Sequence, residues 1–289
     1  MFRSDLLKDK VLVVTGGGTG LGKAMATRFG ELGACVAIAA RRKDVIDATA
    51  AEIAAKTGAK TLAVPCDVRD YAQVEKARDR VLEAFGRVDG LVNNAAGNFL
   101  APSEDLTPGG FRAVVEIVLF GSFHCTHVFG KQMIAQGGGG NVLSIVTTYA
   151  WTGSAFVLPS VCGKSAVLAM TRSLAVEWAH HRIRLNAIAP GPFPTEGAWS
   201  RLMPGGGDPS GVPGDMLKKK VPLGRYGEHA ELANLSAYLM ADESGYITGD
   251  CVTIDGGEWL MGAGQFNFLT GYDRAAVKQM MAAMKPKKG

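Results

Sequence analysis

Short apolar runs recur along this chain, separated by longer stretches with the three-to-four-residue spacing of helices. The first, Val11–Val14, leads into Thr15 and three glycines, then Thr19-Gly20-Leu21-Gly22 and a helical run from Lys23 to Leu32. Further runs at Cys35–Ala39, Thr61–Val64, Asp89–Val92, Asn141–Thr147, Arg184–Ala189 and Cys251–Ile254 read as strands. Between them lie Lys43–Thr57, closed by Gly58, then Asp70–Phe85, the long Pro108–Gln136, ended by four glycines, and Pro159–His181. Strands that are apolar throughout, rather than alternating, are buried on both faces, as parallel strands are. Strand and helix in alternation predict an α/β fold: one domain over 1–289, a doubly wound parallel sheet with helices on both faces. Its ligand crevice is expected at the carboxyl ends of the strands.

The stretch Val11–Gly22 adds chemistry to this pattern. A strand, a tight glycine turn and a helix N-terminus, in that order, offer free N–H groups and the positive end of a helix dipole to an anion. Gly16, Thr19, Gly20, Leu21 and Gly22 are therefore expected to cradle a dinucleotide pyrophosphate, making the sheet Rossmann-like. The second strand ends in Ala40-Arg41-Arg42, where NAD-preferring folds carry an acidic residue for the ribose 2′-hydroxyl. Arg41 and Arg42 suit a 2′-phosphate instead, so NADPH is the expected cofactor, the alternative being solvated arginines at a strand end. Asp67, just past the third strand, either accepts from the adenine amino group or caps the helix from Asp70. Asn94, Ala95 and Gly97, after the fourth strand, are small enough for the backbone to pass beside the cofactor, while the asparagines tie neighbouring loops together.

Composition narrows the possibilities. At 47% hydrophobic and 20% charged, 289 residues can bury a sizeable core. The net charge of +4 is slight and scattered, apart from Lys218–Lys220 and the C-terminal lysines, so nucleic acid is not expected as a partner. The five cysteines have no paired spacing and read as reduced thiols. His124 and His127 share a helix face without a third ligand, so they read as structural, and no metal is expected. The N-terminal MFRSDLLKDK has no apolar core, and no run reaches the ~18 residues that cross a bilayer, which predicts a cytoplasmic chain without a membrane span. The stretch 191–214 is too rich in Gly and Pro for a regular element, and within 191–222 reads as a mobile substrate lid or a plain surface loop.

Taken jointly, TGGGTGLG at 15–22, CDV at 66–68, NNAAG at 93–97, the helix lysine Lys164 and PGP at 190–192 resemble the short-chain dehydrogenase/reductase family over about residues 8–260. The family's catalytic tyrosine, four residues before the lysine, is here Ser160; its serine is Thr147, and its helix asparagine is Val118. One subfamily, the mitochondrial-type 2,4-dienoyl-CoA reductases, is similar in this departure and in AAGNF at 95–99, TTYAWTGSAFVLPS at 147–160 and EGAWSRL at 196–202. That resemblance implies Tyr149, Asn98, Ser160 and Lys164 as the catalytic set, with Lys164 also holding the nicotinamide ribose. Pro190, Gly191 and Phe193 would line the nicotinamide carboxamide, the Phe193 amide as donor. It further implies an acyl-CoA substrate, a 3-enoyl-CoA product in unsaturated fatty acid degradation, and a homotetramer. Lys218–Lys220 would meet CoA phosphates or remain a solvated run. The tail 262–289, amphipathic over Asp273–Met284, would pack at a subunit interface or near the acyl pocket. The competing readings are an NADPH-dependent 2-enoyl-CoA or carbonyl reductase and a catalytically silent NADPH-binding protein.

Overall fold

Residues of one strand point alternately to opposite faces, so a strand that is apolar throughout needs a helix layer on each side. The computed structural model, which describes residues 2–197, 202 and 218–284, meets that need. Its strands are β1 (Val11–Thr15), β2 (Cys35–Ala40), β3 (Thr61–Pro65), β4 (Gly90–Asn93), β5 (Gly140–Ile145), β6 (Ile183–Pro190) and β7 (Cys251–Ile254). They form one parallel sheet in the order β3-β2-β1-β4-β5-β6-β7. Leu12 and Val14 of β1 join Met25 and Phe29 of α1 (Gly20–Glu31), Ile46 and Ile53 of α2 (Lys43–Thr57), and Leu232 and Met240 of a later helix, His229–Met240. Val11 and Val13 join Val74 and Val81 of α3 (Tyr71–Phe85) and Phe129 and Met133 of the long helical stretch on the other face. Each such Leu, Val or Phe contributes roughly 1.5–3 kcal/mol by leaving water. This is the single-domain, doubly wound, Rossmann-like fold read from the pattern.

Several boundaries differ from the sequence expectation, each for a local reason. Helix α1 begins at Gly20 rather than Lys23, so the turn glycines form its first turn. Strand β5 ends at Ile145 rather than Thr147: Val146 N–H still reaches Ile188 O (2.8 Å), but the Thr147 carbonyl accepts from Ala150 N–H (3.0 Å) and turns the chain out of the sheet. The stretch 108–136 is not one regular helix. It comprises α4 (Pro108–Val115), a π-helical turn at Glu116–Phe120, and α5 (Gly121–Gln136). Taken whole, it has 29 residues and is apolar enough to cross a bilayer, which corrects the expectation that no run reaches that length. Half of its apolar window is nevertheless buried, as in a core helix. Beyond it come α6 (Tyr149–Thr152), α7 (Leu158–Glu177) and α8, the His229–Met240 helix.

His124 and His127 face α3 and the loop before it: His124 Nδ1 donates to Val68 O (2.9 Å) in that loop, and His127 Nδ1 lies 2.7 Å from Tyr71 Oη. Among the described residues no three His, Cys, Asp or Glu side chains are grouped to hold a metal. Most of the expected lid, residues 198–201 and 203–217, lies outside the described residues, as do 285–289 of the tail. Within the described tail, the helix Arg274–Ala283 is capped by Asp273, whose side chain accepts from Ala276 N–H (2.9 Å), and buries only Val277.

Gly130 of α5 lies under Trp178, where a Cβ would come 2.4 Å from the indole Cζ3. Substitution Gly130→Ala gains about 1 kcal/mol of helix propensity, but overpacking a rigid ring costs about 1–3 kcal/mol. The expected net result is destabilisation of about 1 kcal/mol, seen as a fall in Tm of about 2–4 °C by calorimetry.

Candidate active site

The strand order reverses between β1 and β4, so the loops that leave them diverge and open a crevice. Thr15 fastens its two sides. The Thr15 hydroxyl donates to Val92 O (3.1 Å) and accepts from the N–H groups of Asn94 (3.0 Å) and Ala95 (3.1 Å). Asn94 Nδ2 returns to the carbonyls of Thr15 (3.0 Å) and Gly16 (3.2 Å). So closely packed a turn excludes side chains. Gly16 has φ +64°, and a Cβ there would meet Ala95 Cα at 3.0 Å; a Cβ at Gly22 would meet Gly16 O at 2.4 Å. Glycine is therefore demanded at both positions by the protein's packing on itself, independently of any approach to a phosphate.

Helix α1 starts at this turn. Its N-cap Thr19 makes no side-chain capping bond, and no acidic residue occupies the first turn. Half-buried Leu21 packs against the core and orients that turn. The N-terminal N–H groups and the positive dipole end are thus left for an anion. Arg41 and Arg42 follow β2, exposed, and neither side chain makes a hydrogen bond or ion pair among the described residues; the charge of Arg41 acts on Asp67. Asp67 is already engaged. Its carboxylate accepts from Arg69 Nη2 (2.5 Å) and Nε (3.0 Å to each oxygen), and those bonds hold its pKa below the usual carboxylate range. The cap of α3 is Asp70, whose Oδ1 accepts from Ala72 N–H (3.0 Å) and Gln73 N–H (3.2 Å), which corrects the capping alternative for Asp67. Gly97 packs toward Ile117 Cδ1, and Pro190 ends β6 opposite Ile254. Gly191 lies against Asp255, and no group among the described residues accepts from the Phe193 N–H.

A second cluster forms beside this crevice. Tyr149 opens α6 just past β5, while Ser160 and Lys164 stand one turn apart on one face of α7. Tyr149 Oη lies 2.9 Å from Ser160 Oγ, and Asn98 Nδ2 donates to it at 3.4 Å. Asn98 Oδ1 accepts from Phe99 N–H (2.9 Å), which orients its amide. The Thr147 side chain also acts on Tyr149, opposing the rise of its pKa. The Lys164 ammonium is buried and donates to the Ile145 carbonyl at the end of β5. Burial moves the two titratable groups in opposite directions: it pushes the Tyr149 phenol up, against the opposing effect of Ser160 and Thr147, and pushes Lys164 down to about 8. Val118 lies in the π-helical turn with its side chain against Gly163, so the position of the family's asparagine is apolar here. Lys218–Lys220 are exposed, with Lys218 Nζ 5.6 Å from the centre of the Tyr226 ring.

A glycine turn at the switch point of a doubly wound sheet, beside a helix carrying a buried lysine, fits an oxidoreductase that uses a nicotinamide dinucleotide. The chain belongs to the short-chain dehydrogenase/reductase family: residues 16–258 match the family described as enoyl-(acyl carrier protein) reductase. It is 43% identical, over 89% of its length and 83% of the other's, to a Caenorhabditis elegans protein named probable 2,4-dienoyl-CoA reductase 3, (3E)-enoyl-CoA-producing. It is 42% identical, over 88% of its length and 98% of the other's, to a Bacillus subtilis (strain 168) protein named probable 2,4-dienoyl-CoA reductase, (2E)-enoyl-CoA-producing. A crystal structure of a short chain dehydrogenase from Bacillus anthracis str. 'Ames Ancestor', 42% identical, matches with a TM-score of 0.79 over 90% of this chain and 99% of that one. The uncapped α1, and a Phe193 N–H and arginine side chains past β2 that have no partner among the described residues, fit such a dinucleotide.

Two contributors had little signal in the sequence. Thr15 acts across 77 positions on β4, which no local pattern encodes, and Thr147 reads there only as a conservative replacement of the family's serine. Lys164 generates a stability prediction. Between its folded value of about 8 and the ordinary 10.5, the unfolded chain binds more protons than the folded one, so this group makes stability rise with pH across that window. The penalty of the buried ammonium is complete below pH 8. Relative to Lys164→Met, the unaltered chain is expected to gain up to about 3 kcal/mol between those two values, measured by urea denaturation at each pH.

Proposed function

We propose that the chain is an NADPH-dependent 2,4-dienoyl-CoA reductase that yields a 3-enoyl-CoA in the breakdown of unsaturated fatty acids. The observation that carries this reading is the convergence on the Tyr149 hydroxyl of Ser160 at 2.9 Å and Asn98 at 3.4 Å, in a chain with serine at the family's usual tyrosine position. The dinucleotide would supply a hydride to the far end of the conjugated diene. Negative charge then passes through both double bonds to the thioester oxygen, and the residues needed there are fixed hydrogen-bond donors. Burial keeps the Tyr149 phenol neutral and able to donate, and the Asn98 amide stands beside it as a second donor. In this reading Ser160, smaller than tyrosine, makes room beside Lys164 for a water molecule. With its pKa near 8, Lys164 is suited to pass a proton through that water to the α carbon of the dienolate. Protonation at the α carbon gives the 3-enoyl product, whereas protonation at the γ carbon would give the 2-enoyl product.

The remaining roles follow the site. Lys164 would also hold the nicotinamide ribose, the Phe193 N–H the carboxamide, and Arg41 with Arg42 the 2′-phosphate. Support for the phosphate role is that both guanidiniums are unpaired among the described residues.

The test is oxidation of NADPH by a short 2,4-dienoyl-CoA, with the matching 2-enoyl-CoA and 3-ketoacyl-CoA as controls and the product's double bond placed by NMR. Turnover of the diene alone, with a 3-enoyl product, is expected; turnover of only a control would reassign the substrate. Replacing Tyr149 by Phe is expected to lower kcat about 100-fold with NADPH binding unchanged, since one oxyanion donor is worth about 3 kcal/mol. The double variant R41A/R42A is expected to weaken NADPH binding at least about tenfold while leaving NADH binding unaffected, as read by fluorescence titration.

A further inference from the structure

The segment leaving β6, residues 191–195, has the sequence Gly-Pro-Phe-Pro-Thr. Prolines at 192 and 194 carry no N–H, so their carbonyls must supply the backbone attachments at those positions. Both are held from one turn far along the chain. Gly227 N–H donates to Pro192 O (3.1 Å), and His229 Nε2 lies 2.7 Å from Pro194 O. A carbonyl only accepts, so Nε2 carries the proton. Between these ties the Phe193 ring is buried against Gly227, where a Cβ would come 2.4 Å from the ring. Immediately after them the Thr195 methyl stands over the dinucleotide turn, 3.2 Å from where a Cβ on Gly20 would be.

His229 is itself held in register with that turn. It is the first residue of α8, whose start is secured by Glu228 N–H donating to Glu231 Oε2 (2.9 Å) and by Arg225 pairing with Glu231 at 2.6 Å. The Arg225 guanidinium holds the Glu231 carboxyl down to about 2, so this brace persists across the neutral range. Helix α8 is fastened to α1 by Arg28 Nε donating to Asn234 Oδ1 (2.8 Å). His229 and Gly20 line the same groove of about 560 Å³ between these two helices. The imidazole thus stands at a fixed place relative to the uncapped N-terminus of α1.

We propose that His229 is a positioning residue for the cofactor: its bond to Pro194 O sets the segment 191–195, and with it the Phe193 N–H and Thr195, over the Gly16–Gly22 turn. Loss of the bond frees the Pro194 carbonyl from the start of α8, so dinucleotide binding weakens and the segment opens more often. The inference rests on the reading of that turn as the dinucleotide site.

The test uses the full chain without cofactor and the variants H229A and H229Q, the latter retaining a side-chain N–H donor. Dinucleotide affinity is titrated by fluorescence, and backbone hydrogen exchange is followed in the peptide containing Phe193 and Thr195. With H229A, NADPH binding is expected to weaken about five- to tenfold, the scale of one lost hydrogen bond. Exchange in that peptide is expected to accelerate in the cofactor-free chain while Tm moves by less than about 3 °C. H229Q restores both affinity and protection. Affinity within twofold of the unaltered chain in H229A, or unchanged exchange at Phe193, overturns the role of His229 and leaves the dinucleotide reading intact. If H229Q behaves as H229A in both measurements, the hydrogen bond is not the cause and the proposal fails. An unaltered chain that binds neither NADPH nor NADH overturns both readings together.

Discussion

The hydrogen bonds of one threonine hold the site's geometry in place. Thr15 ends β1, and its hydroxyl both donates to β4 and accepts from the two N–H groups that follow β4. At the switch point of a doubly wound sheet, these strands send their connections in opposite directions and would otherwise leave a gap with unpaired backbone groups. Thr15 and Asn94 close the floor of that gap while leaving its mouth open. The glycine turn, the start of α1 and the loop through Asn98 are all referenced to this fastening. The steric demand for glycine at 16 and 22 follows from it, because the turn is drawn against Asn94 and Ala95.

Burial then sets the chemistry. The same low-dielectric surroundings raise Tyr149 and lower Lys164, since each group's charged form is disfavoured. A phenol kept neutral and an ammonium brought close to neutral pH are what the proposed roles of fixed donor and proton source require. The hydrogen-bonding groups around Tyr149 come from the loop after β4, the loop after β5 and the first turn of α7. The sheet therefore positions the cluster through strand ends rather than through any one segment.

Much of this was legible in the chain. Apolar runs at α/β spacing determined the parallel sheet, because burial on both faces permits no alternation. The order of strand, glycine turn and helix determined where backbone N–H groups are left at an uncapped helix start, because that depends on local structure alone. The grouping of Ser160 and Lys164 with Tyr149 and Asn98 came from the family resemblance, and the absence of an acid at 41–42 from the side chains themselves. Quantities that depend on distant residues were not legible. Tertiary packing decided that Val118 faces Gly163 from a π-helical turn and that Asn98 and Ser160 meet at the Tyr149 hydroxyl. It also decided that Thr15 joins β1 to β4 and that His229 holds Pro194. Local backbone preference is written in neighbouring residues, whereas hydrogen-bond partners and desolvation exist only once the sheet brings remote segments together.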